Sequence, residues 1–529
     1  MTSTGFDRYS IAGKFRPPEK TVPIAVVGGG EAGAAAAIAA AQAGAEVMLI
    51  DENPISADLM GSDIPQWWGG RMTGAVRNKE RMLEQVFAAS PVLETAFEAG
   101  VDLALGVYAW GAWVPREGLR ALPSPTLALA DEERSWVVGF ERLIVAAGAR
   151  DFALSFAGWE RPGVMGAGAL HSLLTRYNAF AGRRIVILGS GDLGLGTALL
   201  ALDAGLEVVA IVEARETPQG APDLLRKVQA AGVAILTGRI IIEATGGVDG
   251  VDGVTLAPSQ GAAEQPISLA CDTVCVALGR VPAIELLNAA GVPLEMKPDS
   301  GGHVPWTPDG SGSALPEIFV AGDCAGLGDD AAASGRRAGL AAAASLGLCA
   351  APPARARASV GDALAYQGDW VRAALATGGL EVNVCQCEEV SRASLLDIQA
   401  PAYLGPATPK LAERSLVTLL DDGPINTDQI KRLTRVCMGL CQGRRCREQS
   451  ALMLAQASNL PPSAIPLTGY RAPVRPLPLK VIAAWDEAAD MAAGWDVWFG
   501  ITGQWIPYRD IGTEREAAHM RIISGNMHL

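Results

Sequence analysis

The stretch Pro23-Ile24-Ala25-Val26-Val27-Gly28-Gly29-Gly30-Glu31-Ala32-Gly33 decides the fold. A short apolar run enters a glycine turn, residues 34–42 read as helix, Gly44 stops it, and residues 47–50 form a second strand ending on Asp51-Glu52. Strand, glycine turn, helix, strand and acid in that order make a βαβ unit. The order returns further on. Residues 184–188 are a strand, Gly189-Ser190-Gly191-Asp192-Leu193-Gly194 the turn, 197–203 the helix, and 208–212 a strand ending at Glu213. Glu213 lies 24 residues beyond Gly189, as Glu52 lies 24 beyond Gly28. The expected fold class is α/β, with two Rossmann-like dinucleotide-binding domains.

Each turn is expected to set a pyrophosphate against backbone amides at a helix N-terminus, whose partial positive charge favours it. In the first unit Gly28, Gly30, Glu31, Ala32 and Gly33 form that turn, and Glu52, ahead of Asp51, is the acid expected to take a ribose diol. Residues 142–149 are an apolar strand ending in the small pair Ala147-Gly148, where backbone can approach a nucleotide closely. Residues 317–323 deliver Asp323 just after Gly322, and a nucleotide as long as FAD needs such a carboxylate-bearing loop opposite the first glycines. The fingerprint reads pyrophosphate and ribose, so ATP satisfies it as well as FAD does. In the second unit Gly189, Gly191 and Gly194 would hold a nicotinamide nucleotide, NAD(P), with Glu213 favouring a free 2′-hydroxyl; a structural relic is the other reading.

Five of the nine cysteines fall between Cys385 and Cys446. Cys385-Gln386-Cys387 and Cys441-Gln442-Gly443-Arg444-Arg445-Cys446 supply two close pairs of thiolates, suited to one pair per iron in a [2Fe-2S] cluster. Zinc is the competing reading, but structural zinc sites use wider ligand spacings than Cys-x-Cys. Cys437 is a fifth candidate, read as a small buried residue, and Cys271, Cys275, Cys324 and Cys349 are read as core packing. No Cys-x-x-Cys pair lies near either glycine turn, which argues against a thioredoxin-type disulfide reductase. His171, His303, His519 and His528 have no spaced partners, so no general base is named; a chain that relays electrons needs none. Trp67-Trp68 are read as packing.

At 529 residues the chain is long enough for several cores, and 49% apolar against 19% charged residues favours packed globular domains. The expected division is a discontinuous FAD-binding domain (20–150 and 279–350), an NAD-binding-like domain (151–278), a linker near 350–358, a small helical [2Fe-2S] domain (380–460) and a Pro/Trp-rich C-terminal extension (461–529). A net charge of −14 argues against nucleic acid as a partner. The longest apolar runs, 32–41 and 338–344, fall short of the roughly 20 residues a membrane span needs. The first twenty residues carry charges without an apolar signal core, so a cytoplasmic location is expected.

Residues 24–347 resemble the two-dinucleotide-domain flavoproteins that include thioredoxin and glutathione reductases. With Cys385-Gln386-Cys387-Glu388-Glu389-Val390, the run from Ile430 to Arg444, and Phe156-Ala157-Gly158-Trp159 added, the chain is similar to the large or α subunits of heteromeric amine and imino-acid dehydrogenases: opine, proline and hydroxyproline dehydrogenases, and hydrogen cyanide synthase. The resemblance implies an electron-transfer subunit carrying flavin and [2Fe-2S]. The substrate would be oxidised on a partner, an FAD-containing β subunit of the glycine-oxidase type. FMN at a subunit interface and a small third subunit are further implications. Two rival readings stand beside it: an NAD(P)H-dependent flavin and iron–sulfur reductase, and a nucleotide-binding scaffold. Three departures are visible. Gly69-Gly70-Arg71 stands where Gly-Gly-Gln is usual, Cys437 stands where glycine is usual, and extra residues occur around 401–416 and beyond 479.

Overall fold

The computed structural model describes residues 17–52, 90–115, 124–176, 180–260, 265–308, 310–354, 360–405, 413–484, 510, 512–516 and 518. Trp67, Trp68, Gly69, Gly70, Arg71, His519, His528 and the tryptophans of the C-terminal extension (Trp485, Trp495, Trp498, Trp505) lie outside these residues.

Strand Thr21–Val27 pairs in parallel with Val47–Asp51 on one side and with Ser135–Val145 on the other. Asp102–Leu105 and Ile318–Val320 extend this sheet outward, both parallel to their neighbours. Ser135–Val145 is long enough for its first half to pair antiparallel with Thr126–Ala130, which in turn pairs with Tyr108–Trp113. Ile24, Leu49, Leu143 and Ile144 are fully buried because both faces of the sheet are covered, which explains their unbroken apolar runs.

The alanine-rich segments owe their composition to a helix pair. Glu31–Gln42 packs along Ala331–Ser345, and a Cβ on Gly335 would lie 2.0 Å from the Ala32 carbonyl, one on Gly339 2.2 Å from that of Ala36. Only small side chains permit such backbone-to-backbone approach. Among the described residues no helix is long and apolar enough to cross a membrane.

The second sheet is parallel throughout, in the order Ile235–Leu236, Glu207–Val212, Arg184–Leu188, Thr273–Val276, Val164–Gly166. A three-stranded antiparallel sheet, Arg239–Gly247, Gly250–Pro258 and Ile267–Ala270, shares its core.

Around the cysteines the chain turns helical. Arg392–Leu396, Leu416–Asp422 and Thr427–Thr434 start where Ser391, Ser415 and Asn426 accept a hydrogen bond from a backbone N–H three residues on. Arg447–Ala457 follows. This unit has no core of its own: Val384, Leu395, Ile430 and Met453 join Phe152, Leu154 and Phe156 in one apolar cluster with Ile240 and Val254. The proline-rich segment after it returns to the first sheet, where Tyr470 and Val474 pack with Phe140 and Leu143, and Val474 N–H donates to the Trp110 carbonyl at 2.8 Å.

Candidate functional site

The three strands that end at Val27, Asp51 and Val145 open onto a cleft of about 890 Å³. Gly28, Gly30, Asp51, Glu52, Ala147, Gly148 and Asp323, separated by almost 300 residues of sequence, all line it. Gly28 takes φ +109°, and a Cβ there would meet the Ala146 carbonyl at 2.2 Å; at Gly30, which caps the helix, a Cβ would meet nothing within 4 Å. The helix N-terminus is thus open toward the cleft at Gly30. The other residues of the turn serve the scaffold. Ala32 lies beneath Gly322, and a Cβ on Gly33 would overlap the Gly28 carbonyl at 1.8 Å, while Glu31 is exposed in the first helical turn. Gly322 is held by its N–H donating to Ser334 Oγ at 3.0 Å, which sets Asp323 on the cleft, 3.0 Å from Arg280.

The two acids after the second strand part company. Asp51 turns back so that its carboxylate accepts from Gly29 N–H. Glu52 pairs with Arg475 at 2.5 Å, a residue delivered by the proline-rich segment. Asp51, not Glu52, therefore occupies the position at the glycine turn. The equal 24-residue spacing misled because Gly28 N–H donates to the Ile50 carbonyl and Gly189 N–H to that of Val212, so Glu213 corresponds to Asp51. An irregularity between Val208 and Ala210 absorbs the extra residue.

The second turn repeats the first in backbone and differs in access. Gly189 has φ +104°, and a Cβ on Gly194 would overlap the Gly189 carbonyl at 1.9 Å, as in the first unit. Glu213, however, is fully buried and already engaged by the protein. Its carboxylate accepts from Ser190 N–H at 3.0 Å, Ser190 Oγ at 2.6 Å, Tyr366 Oη at 2.7 Å and Arg215 N–H at 2.9 Å. The expectation that Glu213 meets a ribose diol gives way to this closed network. Tyr366, on helix Ala363–Ala376, lies over the turn, its ring 3.9 Å from a Cβ built on Gly191, and the Arg215 guanidinium stands 5.2 Å from the ring centroid. Burial, then the neighbouring Glu213 carboxylate, drive the Tyr366 phenol well above its usual range, so it stays a donor. Nothing in the sequence around Tyr366 signals this role.

Between the cleft and the cysteines stands a buried ion cluster. Arg150, 9% exposed, pairs with Glu285 at 2.9 Å and Glu448 at 2.5 Å, and donates to the Arg444 carbonyl at 2.7 Å. Burial works against the Glu285 carboxylate, yet Arg150 and Arg444 hold it below the usual carboxylate range. Arg150 and Arg444 also line the cleft, so one wall of it comes from the Cys441–Cys446 loop.

The cysteines converge from two segments. Cys385 lies beside Cys446 and Cys387 beside Cys441, so each neighbouring pair takes one member from Cys-x-Cys and one from the later loop. Within the pairs, the thiol contact holds Cys385 and Cys441 below the usual thiol value despite burial, and raises Cys446 and Cys387. Arg435, Cys437, Gln442 and Gly443 all take positive φ, winding the 435–443 loop tightly around the site. A Cβ on Gly439 would lie 2.1 Å from Cys387 Cβ, so this glycine permits the two segments to meet. Among the described residues, no three His, Cys, Asp or Glu side chains are grouped as a single ion would require. An all-sulfur donor set in two pairs suits a two-iron cluster. Cys271, Cys275 and Cys324 are buried and Cys349 half-buried, apart from this group.

The sequence model of the pyridine nucleotide-disulphide oxidoreductase family matches residues 22–346, and that of the sarcosine oxidase A3 domain matches residues 411–486. The A-type subunit of opine oxidase from Agrobacterium tumefaciens (strain Ach5) is 27% identical over 486 residues, 87% of this chain and 90% of the relative. The HcnB subunit of hydrogen cyanide synthase from Pseudomonas protegens is 26% identical over 499 residues, 87% of this chain and 97% of the relative. The solved structure of L-proline dehydrogenase from P. horikoshii shares the fold, with a TM-score of 0.57 at 20% identity, over 88% of this chain and 81% of that one. The chain belongs to the pyridine nucleotide-disulphide oxidoreductase family and groups with the A-type subunits of opine oxidase, the α subunits of sarcosine oxidase and the HcnB subunits of hydrogen cyanide synthase.

Proposed function

We propose that this chain is the electron-transfer subunit of a heteromeric oxidoreductase acting on amines or imino acids, with the C–N bond oxidised at an FAD on a partner subunit of the glycine-oxidase type. The observation that carries this reading is the contact of two redox-type sites in one chain: the open cleft at Gly30 and the thiol pairs of Cys385, Cys387, Cys441 and Cys446, joined through Arg150. The relatives' names supply the amine chemistry.

Flavin in the first cleft and a [2Fe-2S] cluster on the four thiols would supply electron transfer when bound. The protein's part is to hold them. Gly28, Gly30 and the first amides of the helix would receive the pyrophosphate, Asp51 a ribose edge, Ala147 and Gly148 the close side of the nucleotide, and Asp323 the far end. Cys385, Cys387, Cys441 and Cys446 would bind the two irons as thiolates. The closed Glu213–Tyr366 network weighs against a chain that takes hydride from NAD(P)H at its second turn.

An anaerobic absorption spectrum with iron and acid-labile sulfide assay, before and after NADH, tests this on protein purified with its accompanying subunits. Flavin and [2Fe-2S] bands that NADH leaves unchanged are expected. Fast bleaching by NADH alone would replace the proposal with a self-sufficient reductase, and a colourless preparation with a nucleotide-binding scaffold.

A further inference from the structure

A [2Fe-2S] cluster takes four protein ligands, and this chain places a fifth thiol, Cys437, beside one of the four candidates. Cys437 is not a bystander at a distance: it is 4% exposed, and its Sγ lies 3.5 Å from Cys446 Sγ. The Cys446 sulfur thus has two thiol neighbours, Cys385 and Cys437. The Cys437 backbone also lies close to Cys385, so Cys437 already sits against the ligand that neighbours Cys446. Its backbone is at φ +65°, a region that favours glycine, so a side chain is carried here against backbone preference. Glycine would fill the turn at no such cost.

We propose that Cys437 and Cys446 are alternative ligands for one iron of the cluster. One is bound as thiolate while the other rests against it as a thiol. Exchange breaks the iron–sulfur bond to Cys446, forms the bond to Cys437, and moves the Cys437 proton to the released Cys446 sulfur. No electron is gained or lost, and no further reactant enters. The proposal rests on the [2Fe-2S] reading above.

The test uses the full-length chain with its co-purifying subunits, prepared anaerobically as wild type, Cys437→Ala, Cys446→Ala, the double variant, and Cys385→Ala. Iron and sulfide per chain are measured, with electron paramagnetic resonance of the dithionite-reduced samples. Each of the two single variants should keep the wild-type iron and sulfide, their resonance spectra should differ from each other, and the double variant should lose iron about tenfold or more, as Cys385→Ala does. Loss of iron in Cys446→Ala equal to that of the double variant overturns the proposal, as does loss in Cys437→Ala alone. If Cys446→Ala fails to fold by circular dichroism, Cys437→Ala decides: loss of one of two components of the wild-type spectrum shows that Cys437 binds iron, and a spectrum that keeps every wild-type component shows that it never does. Wild-type protein without iron or sulfide would instead remove the cluster reading itself.

Discussion

The two glycine turns of this chain share a backbone and differ in what faces them. In both, the first glycine sits against the carbonyl of a neighbouring strand, the last glycine lies under the first, and an acid from the next strand bonds back to the turn. At Gly30 the helix N-terminus looks onto the cleft with nothing within 4 Å of a Cβ; at Gly191 the ring of Tyr366 stands 3.9 Å from one, while Asp192 beyond it reaches the same cleft. A motif can thus keep its backbone while its acid is taken up by other parts of the chain, as Glu213 is by Ser190, Arg215 and Tyr366. The fingerprint reports the local turn, and access is settled by segments far away in sequence.

The largest expected effect concerns what joins the open turn to the cysteine segment. Arg150→Met should destabilise the chain by about 3–5 kcal/mol in chemical denaturation, because Glu285 and Glu448 would stay buried without their partner. An unchanged midpoint would mean that the cleft and the cysteine unit are energetically separate. Next, Gly30→Val should weaken the proposed nucleotide by about a hundredfold, on the order of 3 kcal/mol, read as flavin or adenine nucleotide released by acid from purified protein. Its fold should hold, since a Cβ there meets nothing within 4 Å, and Gly191→Ala should change neither stability nor cofactor content. Equal losses from both substitutions would break the contrast between the turns.

Tyr366→Phe sharpens the closed side. Removing the hydroxyl that donates to buried Glu213 should lower stability by about 1–3 kcal/mol. Direct titration of wild-type protein with NADH by calorimetry should show no binding at the second turn, and a saturable heat that Tyr366→Phe alters would show that it is open. The smallest effect is expected at His303, on strand Gly302–Pro305. Burial, with Arg447 nearby, lowers its pKa from 6.5 to about 4, so the folded chain keeps it neutral while the unfolded chain takes up a proton. Stability from this source is present above pH 6.5 and is lost as pH falls toward 4, about 1 kcal/mol of it by pH 6. His303→Gln should flatten the pH dependence of the melting temperature across that window; an unaltered slope would mean that His303 titrates normally.

Much of the architecture could be read directly. Glycine spacing, apolar runs and terminal acids placed the strands of both parallel sheets around the two turns. The choice of acid could not be read, because a single irregular residue in strand Glu207–Val212 shifts the count without altering the pattern. Nor could the pairing of thiols. The spacing supplies two close pairs, and only the fold brings the segments together, with Cys385 beside Cys446 and Cys387 beside Cys441 once Gly439 lets them touch.

What the amino-acid sequence determined alone is local: which residues turn, which alternate with a strand's period, and which thiols and acids are close enough in the chain to share a task. These follow from backbone sterics and short-range hydrogen bonding, which act over a few residues. What only the tertiary structure decided is who faces whom. Tyr366 over the second turn, Arg475 against Glu52, Arg150 between Glu285 and Glu448, and Cys437 beside Cys446 all join residues that only the packing of distant segments brings into contact. Burial is non-directional and independent of sequence separation, so no spacing in the chain records it.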